Sequence, residues 1–338
     1  MRGRLLGWFD RHARAFPWRG PRPRPAFGVL VAESLLQQTQ AARAAPAYER
    51  FVRRFPDAPT LAAATADEVL ASWQGLGYYQ RALRLRRAAL IVVERHGGAV
   101  PDDLEALRAL PGVGRYTAHA IAAQAFDRPL IAVDANVRRL GARLLGLREP
   151  GVGELEAGLS ELLLRPGDEF EERRPEVAEA LIEVGACLCR PRRPSCQQCP
   201  LRTACRAAER GDPSAFPAPC SAPSRRREAL RLLVARRDGC VALCRRPEHG
   251  RWAGLWGFPV ASDGLQGRPL AGFEHVLTHR TLAVRPELVA PERLAVAVDW
   301  RPLAQVAAGG GDRPVAVVDQ RVAAQLLAHA TTVVKEEA

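Results

Sequence analysis

The segment Leu110-Pro111-Gly112-Val113-Gly114 constrains the fold more than any other stretch of the chain. Apolar residues recur at helical spacing on both sides of it. Pro111 ends the upstream helix, and the two glycines allow a tight turn with close backbone approach. We therefore predict a helix–hairpin–helix whose exposed N–H groups bind an anion, which for a basic protein is typically a DNA phosphate. Taken alone, the segment is equally compatible with an ordinary turn between helices.

The charge of the chain also favours an anionic partner. The 338 residues carry a net charge of +12, which is typical of nucleic-acid-binding proteins. Lys335 is the only lysine, so nearly all of the positive charge comes from arginine, which binds phosphate in a bidentate manner. The length predicts about two domains.

Neither a membrane span nor a secretory signal is predicted. No segment reaches the ~18 consecutive apolar residues of a spanning helix, and the basic N-terminus lacks an uninterrupted apolar stretch. We expect a cytoplasmic protein that associates with the bacterial nucleoid and acts as a monomer.

Cysteines between residues 187 and 205 form the strongest metal signal. Four of them follow the spacing Cys189-x6-Cys196-x2-Cys199-x5-Cys205, and Cys187 is predicted to be a spare packing residue. Four thiolates in one loop suit a [4Fe–4S] cluster or a structural zinc ion. We favour the cluster, because zinc sites usually pair two close C-x-x-C units and only one occurs here.

Two carboxylates, Glu33 and Asp134, occupy positions typical of catalytic acids and charge-stabilising groups. Glu33 lies in a largely apolar helix predicted over 27–40, where burial would raise its pKa and make it a proton donor near neutral pH. Asp134 follows an apolar run at the start of a helix, where the helix N–H groups would hold it ionised. The plainer alternatives are a solvated helix charge for Glu33 and a structural N-cap for Asp134.

Aromatic and polar loops surround these carboxylates in the sequence. Trp18 and Arg19 follow Phe16-Pro17, the run Gln37-Gln38-Thr39-Gln40 follows Glu33, and Gly75-Leu76-Gly77-Tyr78-Tyr79 precedes an arginine-rich helix. Such side chains can stack on bases, contact base edges or wedge a strand open. The alternative is that Trp18 and the tyrosines pack at the edge of a core.

Composition changes sharply after the cysteines, which indicates a second domain. Residues 1–206 read as helices, and 207–228 as a linker rich in proline and serine. From 229 to 338, short β-branched or apolar runs predict a sheet-containing domain. The predicted strands include Leu230–Ala235, Cys240–Cys244, Thr281–Val284 and Ala295–Val298.

These motifs together closely resemble the MutY-type adenine DNA glycosylases of the endonuclease III superfamily. The resemblance includes Arg246-Pro247 and the segment from Trp252 to Pro259, so it covers nearly the whole chain. It implies a multidomain protein: an all-α helix–hairpin–helix glycosylase domain (1–206) with two helical lobes and an iron–sulfur loop (189–205), a linker (207–228) and an α+β Nudix-like domain (229–338). The expected cofactor is a [4Fe–4S] cluster.

The resemblance also implies an activity. A member of this family is a base excision repair hydrolase that flips adenine out of double-stranded DNA where it is mispaired with 8-oxoguanine or guanine. It hydrolyses the N-glycosidic bond and leaves an abasic site, without lyase activity. The Nudix hydrolase signature is absent, which argues for recognition of 8-oxoguanine rather than pyrophosphate hydrolysis.

The resemblance implies site residues wherever a position of this sequence matches a motif of the family. The implied catalytic residues are Glu33, Asp134, Tyr116 and Asn136, and the cluster ligands are Cys189, Cys196, Cys199 and Cys205. The implied contacts to the substrate and to DNA are Trp18, Arg19, Gln37, Gln38, Thr39, Tyr78, Leu110, Gly112, Val113, Gly114, Glu183, Thr278 and His279. The recognition loop reads Leu277-Thr278-His279 where the family usually has Phe-Ser-His, so the aromatic group is lost.

Three alternative functions are compatible with parts of the sequence. A bifunctional glycosylase/lyase would need a lysine at Tyr116, and the only lysine is Lys335. A DNA-bound redox or scaffold protein would not need both Glu33 and Asp134. A thymine–guanine mismatch glycosylase often lacks a second domain, whereas this chain continues from 229 to 338.

Overall fold

The computed structural model describes residues 1–218, 225–248, 250–261 and 265–336. The chain divides into two compact units, Met1–Ala63 with Arg84–Ser221 and Ala64–Leu83 with Ala222–Ala338. The predicted domain boundaries stay a prediction, and residues 219–224 of the predicted linker lie outside the described part. No helix in the described ranges is long and apolar enough to cross a membrane.

Most of the described α-helices lie in the first unit, while the helix at 66–72 and those after residue 302 belong to the second unit and the helix at 80–96 begins there. In order they are α1 (Arg2–His12), α2 (Ala26–Leu36), α3 (Ala41–Arg54), α4 (Ala58–Ala63), α5 (Ala66–Ser72), α6 (Gln80–His96), α7 (Leu104–Ala109), α8 (Arg115–Ala125), α9 (Ala135–Leu145), α10 (Val152–Leu163), α11 (Val177–Cys187), α12 (Arg206–Glu209), α13 (Leu303–Ala307) and α14 (Val317–Glu336). Short 3₁₀ helices occupy Glu171–Glu176, Cys196–Gln198, Arg202–Ala204, Pro213–Ala215 and Pro291–Arg293.

The predicted helix–hairpin–helix is present. Helix α7 begins after Asp103, whose carboxylate accepts N–H bonds from Glu105 and Ala106 at 2.9 and 2.8 Å, and α8 begins after Gly114. Gly112 adopts φ +86°, and a Cβ there would lie 3.2 Å from Arg84 Cβ. The turn therefore requires glycine at position 112 for both conformation and space.

Helix α2 is shorter than predicted. It ends at Leu36 rather than Gln40, and Gln38 adopts φ +60°, a left-handed conformation that a helix cannot contain. The apolar periodicity stops at the same point, because the four residues that follow Leu36 are all polar. The polar run therefore forms a loop that leaves the helix carrying Glu33.

One core of the first unit joins the N-terminal helix to the region of the cysteines. Buried side chains of α1, α9, α10 and α11 pack together with Leu188, Cys189 and Leu201. Elsewhere in this unit, α2 packs on α3 and α8, and α7 packs on α8. The helix bearing Glu33 is thus in direct contact with the second helix of the hairpin motif.

Two sheets form the rest of the second unit. Their strands are β1 (Arg226–Val234), β2 (Arg236–Arg237), β3 (Cys240–Arg245), β4 (Trp256–Gly257), β5 (Arg268–Pro269), β6 (Phe273–Val276), β7 (Arg280–Leu288) and β8 (Asp299–Pro302). In the first sheet β7 pairs parallel with β1 and antiparallel with β5 and β6, and in the second β3 pairs antiparallel with β2, β4 and β8. Three of the four predicted strands occur, but Ala295–Val298 is not a strand, since β8 begins at Asp299.

Candidate active site

Glu33 is buried inside the helical unit. Its side chain is on α2, and the residue is only 4% exposed. Gln124 of α8 donates an Nε2–H bond to Glu33 Oε1 at 3.0 Å. The other oxygen, Oε2, is buried without a hydrogen bond of standard geometry among the described residues. The solvated-charge alternative is therefore wrong.

The surroundings of Glu33 favour its protonated form. The pKa of Glu33 is raised to about 7, chiefly by burial, although hydrogen bonds from Gln124 and the Tyr116 hydroxyl act in the opposite direction. The charges of Asp134 and Glu179 contribute to the increase. Burial, together with the charges of Glu33 and Asp134, also raises the pKa of Tyr116 well above its ordinary value. Glu33 can therefore both donate and accept a proton near neutral pH.

Asp134 is held at the N-terminus of α9. Its Oδ1 accepts the Val137 backbone N–H at 2.7 Å, and its Oδ2 accepts from Asn136 Nδ2 at 2.8 Å. Asp134 is therefore a structural N-cap, and its chemical role stays a prediction. Asn136 Oδ1 in turn accepts from Arg139 Nη2 at 3.1 Å, and Arg139 Nε donates to the Cys189 carbonyl at 2.6 Å. This chain of contacts links the carboxylate to the loop of cysteines.

Gly185 of α11 packs directly on Asn136. A Cβ at position 185 would lie 2.8 Å from Asn136 Cβ and 3.0 Å from the Asn136 carbonyl oxygen. The backbone on both sides belongs to a helix, so the crowding cannot be relieved by rotating one side chain. Glycine at 185 is therefore required for the Asp134–Asn136 pair to keep its position.

We expect Gly185→Ala to destabilise the protein by about 1–3 kcal/mol, because overpacking forces backbone shifts. Gly153→Ala is the matched control, since Gly153 lies within α10 and nothing stands within 4 Å of its added Cβ. That control should be neutral or stabilising. Chemical denaturation of both variants measures the difference, and equal stabilities would contradict the packing argument.

Trp18, Arg19 and Glu183 form a second cluster beside the N-terminal helix. Glu183 is fully buried and accepts from Arg14 Nε at 2.5 Å and from Arg19 Nη2 at 2.8 Å. Burial opposes its ionisation, but these arginines outweigh burial and lower its pKa. Trp18 is buried and stacks on Phe16 with ring centroids 4.9 Å apart. In this structure Trp18 therefore packs at the edge of a core.

The polar run after α2 contacts the hairpin. Gln37 Nε2 donates to the Gly112 carbonyl at 3.1 Å, while Gln38 is exposed and Thr39 is half-buried. Leu110 and Val113 are buried, so they can offer only backbone groups to a partner. The structure thus brings Gln37 and the hairpin together, with the N–H groups of the first turn of α8 unpaired within that helix.

Tyr78, Thr278 and His279 lie in the second unit. Tyr78 is exposed with φ +49°, and its hydroxyl shares a hydrogen bond with the Thr278 hydroxyl. Thr278 and His279 form the exposed tip between β6 and β7, closed by Leu277 N–H donating to the Arg280 carbonyl at 2.8 Å. The predicted wedge residue and the predicted recognition loop are therefore in contact.

The four predicted ligand cysteines line one small cavity. The pKa of the Cys199 thiol is raised to about 11, chiefly by burial, and the charges of the other three cysteines contribute to the increase. Among the described residues, no three His, Cys, Asp or Glu side chains are placed as ligands of a single metal ion. The thiols therefore share a cavity without converging on one point.

Arg143 organises this loop, although it was not among the predicted site residues. It is buried, and its guanidinium donates to the carbonyls of Arg190, Pro191 and Pro213 at 2.8–2.9 Å. Its Nη1 also lies 3.4 Å from Cys189 Sγ. An arginine within the apolar face of α9 was the available signal, because buried arginines occur where many carbonyls must be satisfied.

Gln124, Arg24 and Glu179 were also missed. Arg24 Nη1 donates to Glu179 Oε1 at 2.7 Å and to Gln124 Oε1 at 3.2 Å, and Gln124 reaches Glu33. Arg22 Nη1 donates to the same Glu179 oxygen at 2.8 Å. The sequence signal for Gln124 was its place as the one polar residue in the otherwise apolar stretch 120–125 of α8.

Comparison with known proteins agrees with the geometry. Residues 31–165 match the family model of HhH-GPD superfamily base excision DNA repair proteins. The adenine DNA glycosylase of Mycolicibacterium smegmatis is 37% identical over 211 residues, which cover 62% of this chain and 70% of that protein. The adenine DNA glycosylase of Mus musculus is 34% identical over 313 residues, which cover 77% of this chain.

The extent of the similarity is given by the length of the relatives and by a solved structure. The chain spans about 60% of the length of the mouse relative. A solved structure of a thermostable thymine-DNA glycosylase superposes with a TM-score of 0.55 at 28% identity, covering 62% of this chain and 94% of that one. The helical fold, the buried Glu33 near Asp134 and the extent of the sequence match lead to one conclusion: the chain belongs to the family of adenine DNA glycosylases.

Proposed function

We propose that this protein excises adenine from double-stranded DNA where adenine is mispaired with 8-oxoguanine or guanine, and leaves an abasic site. The observation that carries the proposal is the buried Glu33, with a pKa of about 7, close enough to Asp134 for the charge of Asp134 to raise it. Cleavage of a glycosidic bond needs one such acid and one carboxylate.

The two carboxyl groups have different roles in the proposed reaction. Glu33 in its acid form protonates N7 of the flipped adenine, which makes the base a better leaving group. Asp134 stabilises the positive charge that develops on the sugar, and its hydrogen bonds from Asn136 and Val137 hold it in one orientation. Glu33, now a carboxylate, then accepts a proton from the attacking water.

The reaction we propose is hydrolysis without a lyase step. A lyase needs an unprotonated amine to form a Schiff base with the sugar. Tyr116 stands near Glu33 where the rival bifunctional enzymes would need lysine, and a phenol cannot form an imine. Lys335, the one lysine, is at the end of α14.

Contacts to DNA are proposed for loops of both units. We propose that the Gly112–Gly114 backbone and the first turn of α8 bind phosphate, and that Gln37, Gln38 and Thr39 contact bases at the mispair. Trp18, Arg19 and Glu183 would border the adenine pocket. Tyr78 would wedge into the stack as adenine is flipped, which its exposure supports.

We propose that Cys189, Cys196, Cys199 and Cys205 hold a [4Fe–4S] cluster. Soft thiolates are the ligands such a cluster requires. The four thiols line one small cavity, and the sequence has one C-x-x-C unit where a zinc site usually pairs two, which supports the cluster. When bound, the cluster would stabilise the loop. The four cysteines and Arg143 would have a structural role and would take no part in cleavage of the glycosidic bond.

The second unit is proposed to contain a Nudix-like domain that recognises 8-oxoguanine. Its mixed sheet and helix α14 support this assignment, and Thr278 and His279 at the β6–β7 tip offer exposed hydrogen-bonding groups. The two helical lobes, the domain boundaries, the monomeric state and the cytoplasmic location likewise remain predictions from the sequence.

Replacement of both Thr278 and His279 by alanine should erode the preference for 8-oxoguanine over guanine by about tenfold, the value of one or two polar base contacts. Adenine excision opposite guanine should change little. Arg280→Ala, next along the strand, is the control for general loss of positive charge. If the double variant slows excision equally on both duplexes, the tip is structural and the assignment of the recognition loop is wrong.

A panel of three duplexes tests the proposed function as a whole. The duplexes hold adenine opposite 8-oxoguanine, adenine opposite guanine, and thymine opposite guanine, and alkali-labile breaks identify the base that left. The third duplex addresses the similarity to a thymine-DNA glycosylase. We expect breaks at adenine in the first two duplexes only, and removal of thymine alone would overturn the proposal.

A further inference from the structure

The amide of Gln124 has only one orientation that satisfies its neighbours. Arg24 faces the amide oxygen from one side at 3.2 Å, and a guanidinium carries donors and no acceptor. The amide therefore turns its oxygen to Arg24 and its NH₂ group to Glu33 Oε1, 3.0 Å away. Gln124 is 7% exposed, so water cannot easily substitute for either partner.

Arg24 is itself fixed by a buried carboxylate. Glu179 is 3% exposed, and its Oε1 accepts from Arg24 Nη1 at 2.7 Å and from Arg22 Nη1 at 2.8 Å. A guanidinium held by a buried carboxylate cannot turn away without leaving a charge unpaired. The order of contacts is therefore Glu179 to Arg24, Arg24 to Gln124, and Gln124 to Glu33.

The contacts from Glu179 through Arg24 and Gln124 distinguish the two carboxyl oxygens of Glu33. A neutral carboxyl group has one carbonyl oxygen that accepts and one hydroxyl that donates. Oε1 receives the Gln124 N–H, so Oε1 is the carbonyl oxygen, and Oε2, which receives no N–H, carries the proton. The hydroxyl of Tyr116, which also bonds Glu33, can donate or accept and so does not oppose this assignment. We infer that Gln124, oriented by Arg24 and Glu179, is a positioning residue that places the transferable proton on Glu33 Oε2.

The inference rests on the proposed function and adds the atom from which the proton leaves. The groups that face Glu33 are Gln124 and Tyr116 of α8, Asp134 at the start of α9, and Glu179 of α11. The Gln124 N–H also stabilises the carboxylate and so lowers the pKa of Glu33 against the effect of burial. Loss of that N–H therefore raises the pKa of Glu33 while leaving the three ionisable neighbours in place.

The test is Gln124→Met, which keeps the length of the side chain and removes the donor. Single-turnover adenine excision is measured from pH 5 to pH 9 on a duplex with adenine opposite 8-oxoguanine. We expect the alkaline limb to move upward by roughly one pH unit, the size of one hydrogen bond to a charged group. The plateau rate should fall by about tenfold, because the carboxyl group is no longer oriented.

Two arginine variants provide a matched pair. Arg24 and Arg22 both bind Glu179 Oε1, but only Arg24 also reaches Gln124. Arg24→Met should therefore shift the alkaline limb in the same direction as Gln124→Met, by a smaller amount. Arg22→Met should leave the limb where it is in the wild type.

An unmoved alkaline limb in folded Gln124→Met would overturn the inference, even if the variant were slower, because a purely structural role predicts a slower rate alone. Equal shifts in Arg22→Met and Arg24→Met would also overturn it. The pKa of Glu33, followed by NMR of protein carrying ¹³C at the glutamate carboxyl, is an independent readout that needs no excision. Failure of the proposed function would appear instead as a wild type that releases no adenine.

Discussion

Glu33→Gln is expected to slow adenine excision by at least about 1000-fold, within the range that general acid catalysis contributes. Glutamine keeps the shape of the group, and its oxygen can still accept from Gln124, so the fold and the DNA affinity should change little. What is lost is the proton, because an amide cannot deliver one to N7. Single-turnover kinetics and binding titrations on the same duplex separate the two effects.

The pH dependence of the wild type follows from the same carboxyl group. Because the acid form is the active one and the pKa of Glu33 is about 7, the rate should fall as the pH rises through that value. Glu49→Gln, an exposed glutamate on α3, removes the same charge and should retain wild-type kinetics. If Glu33→Gln kept more than about a tenth of the wild-type rate, the role of Glu33 as the acid would be refuted.

Asp134→Asn should also slow excision by about 1000-fold, since it removes a preorganised charge at the developing cation. The amide is not a neutral replacement at this position. Its oxygen would keep the Val137 N–H bond, leaving its NH₂ group against the NH₂ group of Asn136. Asn136 cannot turn over to accept, because Arg139 already donates to its oxygen at 3.1 Å.

The matched control for Asp134→Asn is Asp103→Asn. Asp103 caps α7 and also accepts backbone N–H bonds, but asparagine is as good an N-cap and no donor opposes it there. We expect the control to lose little stability and no excision rate. If both variants behaved alike, Asp134 would be a helix cap and nothing more.

Local sequence signals predicted the parts of the fold that are governed by local interactions. The hairpin turn was predictable because Pro111 and Gly112 determine backbone conformation within a few residues. The end of α2 was not, since glutamine has no strong preference against helix and only the left-handed Gln38 reveals the break. The run Ala295–Val298 failed as a strand because apolar alternation cannot identify a pairing partner.

In the site, too, features set by local sequence were predictable and features set by tertiary contacts were not. Glu33 was predictable as an acid because burial of a carboxyl group in an apolar helix raises its pKa whichever residues surround it. The contacts that orient it were not, because Gln124 lies 91 residues from Glu33, and Arg24 lies 155 residues from Glu179. Periodicity indicates which side chains are buried, but only the tertiary structure identifies which buried polar groups meet.

Product analysis on one duplex distinguishes hydrolysis by Glu33 and Asp134 from a lyase reaction. Excess wild-type protein is incubated with DNA holding adenine opposite 8-oxoguanine, and mass spectrometry quantifies free base and intact strand before and after alkali. We expect free adenine in one-to-one yield with an uncut abasic strand, which breaks only on alkali and is not trapped by borohydride. Failure to release adenine, or a strand cut without alkali and efficiently trapped by borohydride, would contradict hydrolysis by the Glu33–Asp134 pair.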